Sequence, residues 1–459
     1  MKIKSIQLRH VTHFTDTKLD FIYSNKPITL IMGDQGSGKT TLLKTCHQAL
    51  TWFSARYKDV RTAGLVMNDQ DIMQNRLQSK VDITVSIPTE IGSLPESNDS
   101  QQIDTQACDW QLYKTLNKSG TGLSKVETQK LEHLVQLYQN AVRTDSLQGL
   151  PFIAYYPTER FVNEISLVSK NNPAIFQPIN AYETTAIPFT TFARFFEWFR
   201  EISDIENAQT AELLNRLVNQ QESDDPLEDL SGALIDSYNQ MHAPSLSALK
   251  DAFKIIFPEL SNIYIQYLPK LQLMVTYKNK TMMYQQLPNS TRNWIALVGD
   301  IVRRLCLLNP ANLYPCLEGE GVLLIDQIDH QLDQNHASII LERLHTAFPR
   351  LQIIVTGNRS ELLENSAEFQ CLKLENNQLH PIQTNAVLKA KFDQMYLNLN
   401  LDDGSQEAPA IEELKIEDTL TPNGILQLIQ ENLDADQQQQ LIELLADDNN
   451  SSSEQKLHE

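Results

Sequence analysis

The residues best placed to do chemistry in this chain form a short run, Gly33-Asp34-Gln35-Gly36-Ser37-Gly38-Lys39-Thr40, with Thr41 directly after it. Glycines at these intervals let successive backbone N–H groups curl round an oxyanion, and a helix starting at the end of the run adds partial positive charge at the same point. Lys39 is spaced to reach the β- and γ-phosphates of a nucleotide, and the Thr40 hydroxyl to ligate Mg²⁺. Ile28, Leu30, Ile31 and Met32 before the run read as a buried strand, and Leu42 and Leu43 after it as a helix face. That context separates a phosphate-binding P-loop from a glycine-rich turn. Far downstream, Gly321-Val322-Leu323-Leu324-Ile325-Asp326 is an apolar strand ending in the carboxylate that a P-loop needs for its metal.

Other candidate chemistry is thin. The five cysteines, Cys46, Cys108, Cys306, Cys316 and Cys371, include no C-x-x-C pair and have no histidine at ligand spacing, so they read as reduced, buried thiols. No nuclease constellation is visible.

The elements around the P-loop follow from periodicity. Ile3 to Leu8 alternates polar and apolar, Phe14 to Phe21 follows, and Val81 to Ile87 predicts a strand with Ala107 to Leu116 as its antiparallel partner. Pro88 to Gln106 reads as a loop. Leu131, Leu134, Val135, Tyr138 and Val142 share one helical face, a packing stripe. Pro151 to Tyr156 predicts a buried strand that delivers Thr158-Glu159-Arg160 to its C-terminal edge, where open α/β sheets bind ligands. Residues 161 to 286 read as a mainly helical lobe. Phe192, Phe195, Phe196, Trp198 and Phe199 crowd one helix there as lobe core, and a meander from Ile263 to Gln286 rejoins the sheet.

At 459 residues the chain holds two or three ordinary domains, or one large α/β domain carrying an insertion. Hydrophobic content of 41% and charged content of 21% suit a soluble globular protein. The longest apolar candidate, Trp294 to Leu308, contains Asp300, Arg303 and Arg304 and falls short of the roughly 18 residues of a membrane span. The alternating start is not a signal peptide, so a cytoplasmic protein is expected. With 38 basic against 58 acidic residues the net charge is −20, so the chain as a whole repels nucleic acid. Basic residues are densest near the start and around Arg303 and Arg304, where nucleotide chemistry is expected. The acidic excess lies at Asp204 to Asp229 and after Asp402.

Taken together, IKSIQLRHVTHFTDTKLDF, LPFIAYYPTER, FFEWFREISDIEN, LPNSTRNWIALVGDIVRRLCLLNP, LEGEGVLLIDQIDHQLD and LQIIVTGNRSELL resemble the ABC-class ATPases of the SMC and RecF group. Within that group the chain is most similar to short-insertion ATPases of bacterial anti-phage systems, such as those of Septu, of related retron systems and the AriA subunit of PARIS. The similarity covers about residues 1 to 380. It implies an α/β fold: an ABC-type P-loop ATPase head with a mixed central sheet, an inserted helical lobe and a C-terminal helical tail. The corresponding divisions are 1–160, 161–286, 287–384 and 385–459. Lys39 and Thr40 then resemble the Walker A pair, Asp326 the Walker B aspartate, and Leu332-Asp333 the D-loop. Leu287 to Arg292, with Asn289 and Ser290, takes the place of the signature motif that contacts ATP on another protomer. The implied cofactors are ATP and Mg²⁺, and the implied assembly is a homodimer closed over two nucleotides. Gln70 and the Thr158-Glu159-Arg160 turn are both candidates for the Q-loop.

Departures from the family pattern point one way. The catalytic glutamate position holds Gln327, whose amide can orient a water but not take its proton. Pro288 and Ser290 replace the signature Ser and Gly, and Asn358 the switch histidine. Loss of a general base alone costs about 10² to 10⁴ in rate. ATP binding with slow or absent hydrolysis is therefore expected, unless Asp329 restores the base. Beyond Thr384, a helix over Ala386 to Leu401, an acidic linker and an amphipathic stretch over Gly424 to Ala446 are expected, to pack on the chain itself or on a partner. The function implied is an ATP-binding switch or scaffold of an anti-phage hetero-complex that controls a separate effector. The alternatives are a RecF-like DNA-repair ATPase and a pseudo-ATPase that only bridges proteins.

Overall fold

Strands with two different burial patterns build two different sheets in the computed structural model, which describes residues 1–23, 25–95, 105–117, 122–162, 177–182, 188–220 and 244–382. One unit runs from Met1 to Gln394 and a second from Met395 to Glu459. The expected tail helices, the acidic stretch from Glu222 to Asp229 and much of the loop between Pro88 and Gln106 lie outside the described residues.

The alternating segments form a five-stranded antiparallel sheet in the order β2-β1-β4-β5-β6, where β1 is Lys2–Val11, β2 Phe14–Asp20, β4 Gln78–Ser86, β5 Ala107–Leu116 and β6 Gly122–Glu127. One face is apolar, with Ile6, Leu8, Val81, Ile83, Val85, Trp110 and Leu112 buried. The other is polar, as period-two alternation requires. Cations on the polar face meet carboxylates, Arg9 lying 3.7 Å from Asp16 and 3.9 Å from Asp82 and Lys80 2.9 Å from Asp82, while Lys130, from the helix that follows β6, lies 2.5 Å from Asp109.

The continuous apolar runs form the six-stranded mixed sheet β14-β13-β3-β12-β11-β7, built from β3 Ile28–Met32, β7 Phe152–Tyr156, β11 Gly321–Ile325, β12 Leu351–Gly357, β13 Gln370–Glu375 and β14 Gln378–Pro381. All pairs are parallel except β13 with β14. Every residue of β3, β11 and β12 is buried, as strands covered on both faces must be. The two sheets are sutured at Gln352, fully buried in β12, whose amide donates to Ile3 O at 2.9 Å and accepts Ile3 N–H at 2.6 Å. Helix α1, Lys39–Lys58, packs on β7, β11 and β12, and Trp110 ties the antiparallel sheet to it by donating Nε1–H to Ala49 O at 3.1 Å. Helix α2, Gln129–Thr144, covers β5 with the predicted face, Leu131, Leu134, Val135 and Tyr138.

The aromatic segment belongs to α3, Pro188–Gln220. Phe192, Phe195, Phe196, Trp198 and Phe199 are buried, in keeping with a core role. They pack on α5, Asn289–Leu308, where a Cβ on Gly299 would stand 2.3 Å from the Phe195 ring, so only glycine allows this close approach. Helix α4, Pro244–Ile256, also packs on α5. It is followed by the meander β8 Leu260–Gln266, β9 Gln272–Tyr277 and β10 Lys280–Met283, after which Tyr284–Gln286 is a 3-10 turn rather than strand. A four-residue helix α6, Pro315–Glu318, and α7, Gln334–Ala347, complete the described elements.

Helix α5 is buried without interruption from Asn293 to Leu308. No described helix is long and apolar enough to cross a membrane. The expectation that Arg303 and Arg304 serve nucleotide chemistry is corrected. Both are buried and tied to Asp300, at 2.9 and 2.8 Å, which also accepts the Tyr156 hydroxyl at 2.9 Å. Burial pushes the Asp300 carboxyl up, but Arg304 and then Arg303 outweigh it and hold the group below its usual range. All five cysteines are free and buried.

Candidate nucleotide site

The parallel strands β3, β12, β11 and β7 run side by side and end at one edge of the sheet. The segments that leave this edge are the P-loop, Gly357 to Ser360, Asp326 to Asp333 and Pro157 to Arg160. Every sequence candidate except the signature-like segment and Gln70 therefore starts from one place.

The P-loop turns through Gly36 (φ 84°) and Gly38 (φ 102°), and Gly38 caps α1 without a side-chain partner. A Cβ on Gly38 would stand 2.0 Å from His13 Nε2, which lies 3.3 Å from Ser37 O. His13 thus roofs the loop from the β1–β2 turn. Asp34, Gln35 and Gly36 are exposed, whereas Ser37 and Thr41 are partly buried. Lys39 is 6% exposed and curls inward, its Nζ donating to Gly33 O at 2.5 Å and Asp34 O at 2.8 Å. Burial lowers its ammonium pKa, against the opposing pull of Asp326, Asp34 and Asp329.

Asp326 is the hub. It is 1% exposed, and three hydroxyls converge on its carboxylate: Thr40 and Thr158 donate to Oδ2 at 2.7 and 2.9 Å, and Thr356 to Oδ1 at 2.6 Å. The fully buried Thr356 also accepts the N–H of Gln327 at 2.8 Å. One carboxylate among hydroxyl oxygens is a hard, oxygen-only donor set of the kind that takes Mg²⁺ together with phosphate oxygens. This donor set fits a Mg²⁺–nucleotide: the P-loop N–H groups and Lys39 would hold phosphate, and Thr40 and Asp326 would hold the metal.

Gln327 follows in the left-handed region, φ 45°, partly buried. The buried Arg160 guanidinium donates to Gln327 O at 2.9 Å, to Pro157 O at 2.9 Å and to Asp326 O. Burial pushes its pKa down to about 10. Asp329, the alternative base, is 5% exposed, and its Oδ2 accepts the N–H groups of Asn358 at 2.8 Å and Arg359 at 2.9 Å. Asn358 itself is exposed. Asp333 caps α7, accepting His336 N–H at 2.8 Å, a bond that lowers its pKa. Asn289 and Ser290 stand at the start of α5, and no hydrogen bond among the described residues joins them to the P-loop. One turn further on, Asn293 accepts Val162 N–H at 2.9 Å and donates to Gln331 at 2.8 Å. Gln70 sits exposed in the turn Asp69–Asp71, so of the two Q-loop candidates Thr158 is the one that touches Asp326. Thr356 and Asn293 were not singled out from the sequence; the signal available for Thr356 was its place at the end of the strand between β3 and β11.

A family described as "AAA domain" matches residues 5–254, more than half of the chain. The chain belongs to that family. The match takes in the P-loop and stops before Asp326, so the second half of this AAA-domain site rests on the geometry above. "Retron Ec83 probable ATPase" of Escherichia coli is 24% identical over 417 residues, covering 82% of this chain and 72% of the relative. "Retron Vc95 probable ATPase" of Vibrio cholerae serotype O1 biovar El Tor is 23% identical over 399 residues, covering 82% and 74%. Among solved structures, the Smc head domain with an extended coiled coil bound to the C-terminal domain of ScpA, from Pyrococcus furiosus, matches with a TM-score of 0.45 at 12% identity, covering 86% of this chain and 99% of that one. The similarity of this AAA-domain chain to the retron ATPases is the one its motifs implied.

Proposed function

We propose that this AAA-domain protein binds ATP with Mg²⁺, hydrolyses it slowly or not at all, and works in the cytoplasm as the switch or scaffold of an anti-phage defence complex. In this reading two copies close over two nucleotides, Leu287 to Arg292 of each facing the nucleotide of the other, and the assembly controls a separate effector such as a nuclease. The supporting observation is the 2.7 Å bond from Thr40 to Asp326 with Gln327, not a carboxylate, as the next residue. Bound Mg²⁺ would neutralise developing charge on the phosphates. The protein's own groups would hold the phosphates and orient a water, and the two candidate bases are poorly suited to take its proton. Gln327 has no useful basicity, and Asp329 spends one oxygen on two backbone N–H groups while buried. The retron relatives support the defence setting. The paired charges on the open face of the antiparallel sheet give no support to DNA binding there.

Calorimetry with Mg²⁺–ATP, followed by a phage-protection assay beside the product of the neighbouring gene, tests this reading. Binding that disappears in Lys39→Ala together with protection is expected. A chain that binds no ATP, or a Lys39→Ala variant that protects as well as wild type, overturns it.

A further inference from the structure

Thr158, in the turn offered above as a Q-loop candidate, donates its hydroxyl to the same Asp326 oxygen as Thr40. We propose that Thr158 is a direct ligand of the nucleotide's divalent cation, a second hydroxyl ligand beside Thr40; this rests on the nucleotide-binding reading above.

Thr40 and Thr158 donate to the same oxygen, Asp326 Oδ2, at 2.7 and 2.9 Å. Their own oxygens therefore flank one carboxylate oxygen, so a cation that approaches that oxygen meets both hydroxyls. Each hydroxyl spends its single proton on the carboxylate and keeps lone pairs for a cation. Mg²⁺ takes six oxygens at about 2.0–2.1 Å, typically one or two from protein side chains and the rest from phosphate and water. Two hydroxyls backed by one carboxylate suit that demand.

Thr356 shows what a bracing hydroxyl looks like at the same carboxylate. It is fully buried, donates to Oδ1 and also accepts Gln327 N–H, so its role is spent inside the protein. Thr158 is partly exposed and stands at the sheet edge from which the P-loop leaves, and its hydroxyl makes no other hydrogen bond among the described residues. Its place is fixed from behind. Arg160, two residues on, ties the turn to the carbonyls of Pro157, Asp326 and Gln327.

Metal swapping separates ligation from bracing, because a thiol prefers soft ions and discriminates against Mg²⁺. ATP affinity is measured by calorimetry on the full chain with Mg²⁺, with Cd²⁺ and with EDTA, for wild type, Thr158→Cys, Thr158→Ser and Thr356→Cys, each checked by thermal unfolding. Thr158→Cys should bind Mg²⁺–ATP roughly 10-fold more weakly than wild type, match it in EDTA and recover in Cd²⁺; Thr158→Ser should stay near wild type. Thr356→Cys should show no Cd²⁺ recovery. The native cysteines are buried, and wild type in Cd²⁺ provides the reference. A Thr158→Cys deficit of equal size in Mg²⁺ and Cd²⁺, or no deficit, overturns the proposal while leaving nucleotide binding intact. Failure of wild type to bind Mg²⁺–ATP overturns both.

Discussion

Arg160 donates to the backbone carbonyl of Gln327 at 2.9 Å, and Gln327 has φ 45°, a region that costs a residue with a Cβ about 1–2 kcal/mol. The guanidinium and the left-handed turn stabilise one arrangement between them. Since the three acceptors of the Arg160 guanidinium among the described residues are main-chain carbonyls, its charge is felt by the Asp326 loop as a whole.

Restoring a base at Gln327 is the most direct test of slow hydrolysis. Gln327→Glu keeps the length of the side chain and should raise single-turnover ATP hydrolysis by about 10² or more. An unchanged rate, with ATP still bound, would mean that water is not positioned beside this residue.

Asp329 is expected to be structural. Asp329→Asn keeps an oxygen for the N–H groups of Asn358 and Arg359, so residual hydrolysis should stay within about threefold of wild type. Loss of a working base would instead cost about 10² to 10⁴. Single-turnover assays of the two proteins side by side distinguish the outcomes.

The Asp300 cluster carries stability rather than chemistry. Asp300→Ala leaves Arg303 and Arg304 buried without their partner and should destabilise by about 3–5 kcal/mol in urea unfolding. The folded Asp300 titrates below its unfolded value, so its contribution is complete above the unfolded pKa, near 4, and fades as pH falls through the folded one. The gap between wild type and variant should narrow in that acid range and stay constant above about pH 5.

His47 supplies a milder dependence. It is partly buried on α1 with its ring 5.3 Å from that of Tyr155, and burial, then Arg304, pushes its pKa down to about 4. The unfolded chain therefore takes up a proton below the usual value of 6.5 that the folded chain refuses down to about 4. Stability should decline across that window as pH falls, and less steeply in His47→Gln.

The sheet-edge site was largely legible in the sequence because its parts have signatures: glycines that must curl, and apolar runs ending in Thr40's loop, Asp326 or Thr158. Alternation placed the antiparallel sheet with its pairing of β4 and β5. Arg303 and Arg304 misled because sequence shows charge but not burial; only packing reveals that Asp300, one turn earlier on the same helix, neutralises them. Thr356 and Asn293 were invisible for a related reason. A threonine ending a strand or an asparagine opening a helix is ordinary, and its role arises from neighbours roughly 30 and 40 residues away in the chain.

The place of β3 in its sheet bears on how the protein can be made. Both of its neighbours, Leu351–Gly357 and Gln370–Glu375, are synthesised more than 300 residues after it. A nascent chain that has emerged only through residue 254 holds the phosphate loop on a strand with no ladder on either side, so that segment awaits translation of almost everything that follows. Interrupting the message anywhere before β13 would release a product with unclaimed strand edges, suited to chaperone capture or aggregation rather than to partial function.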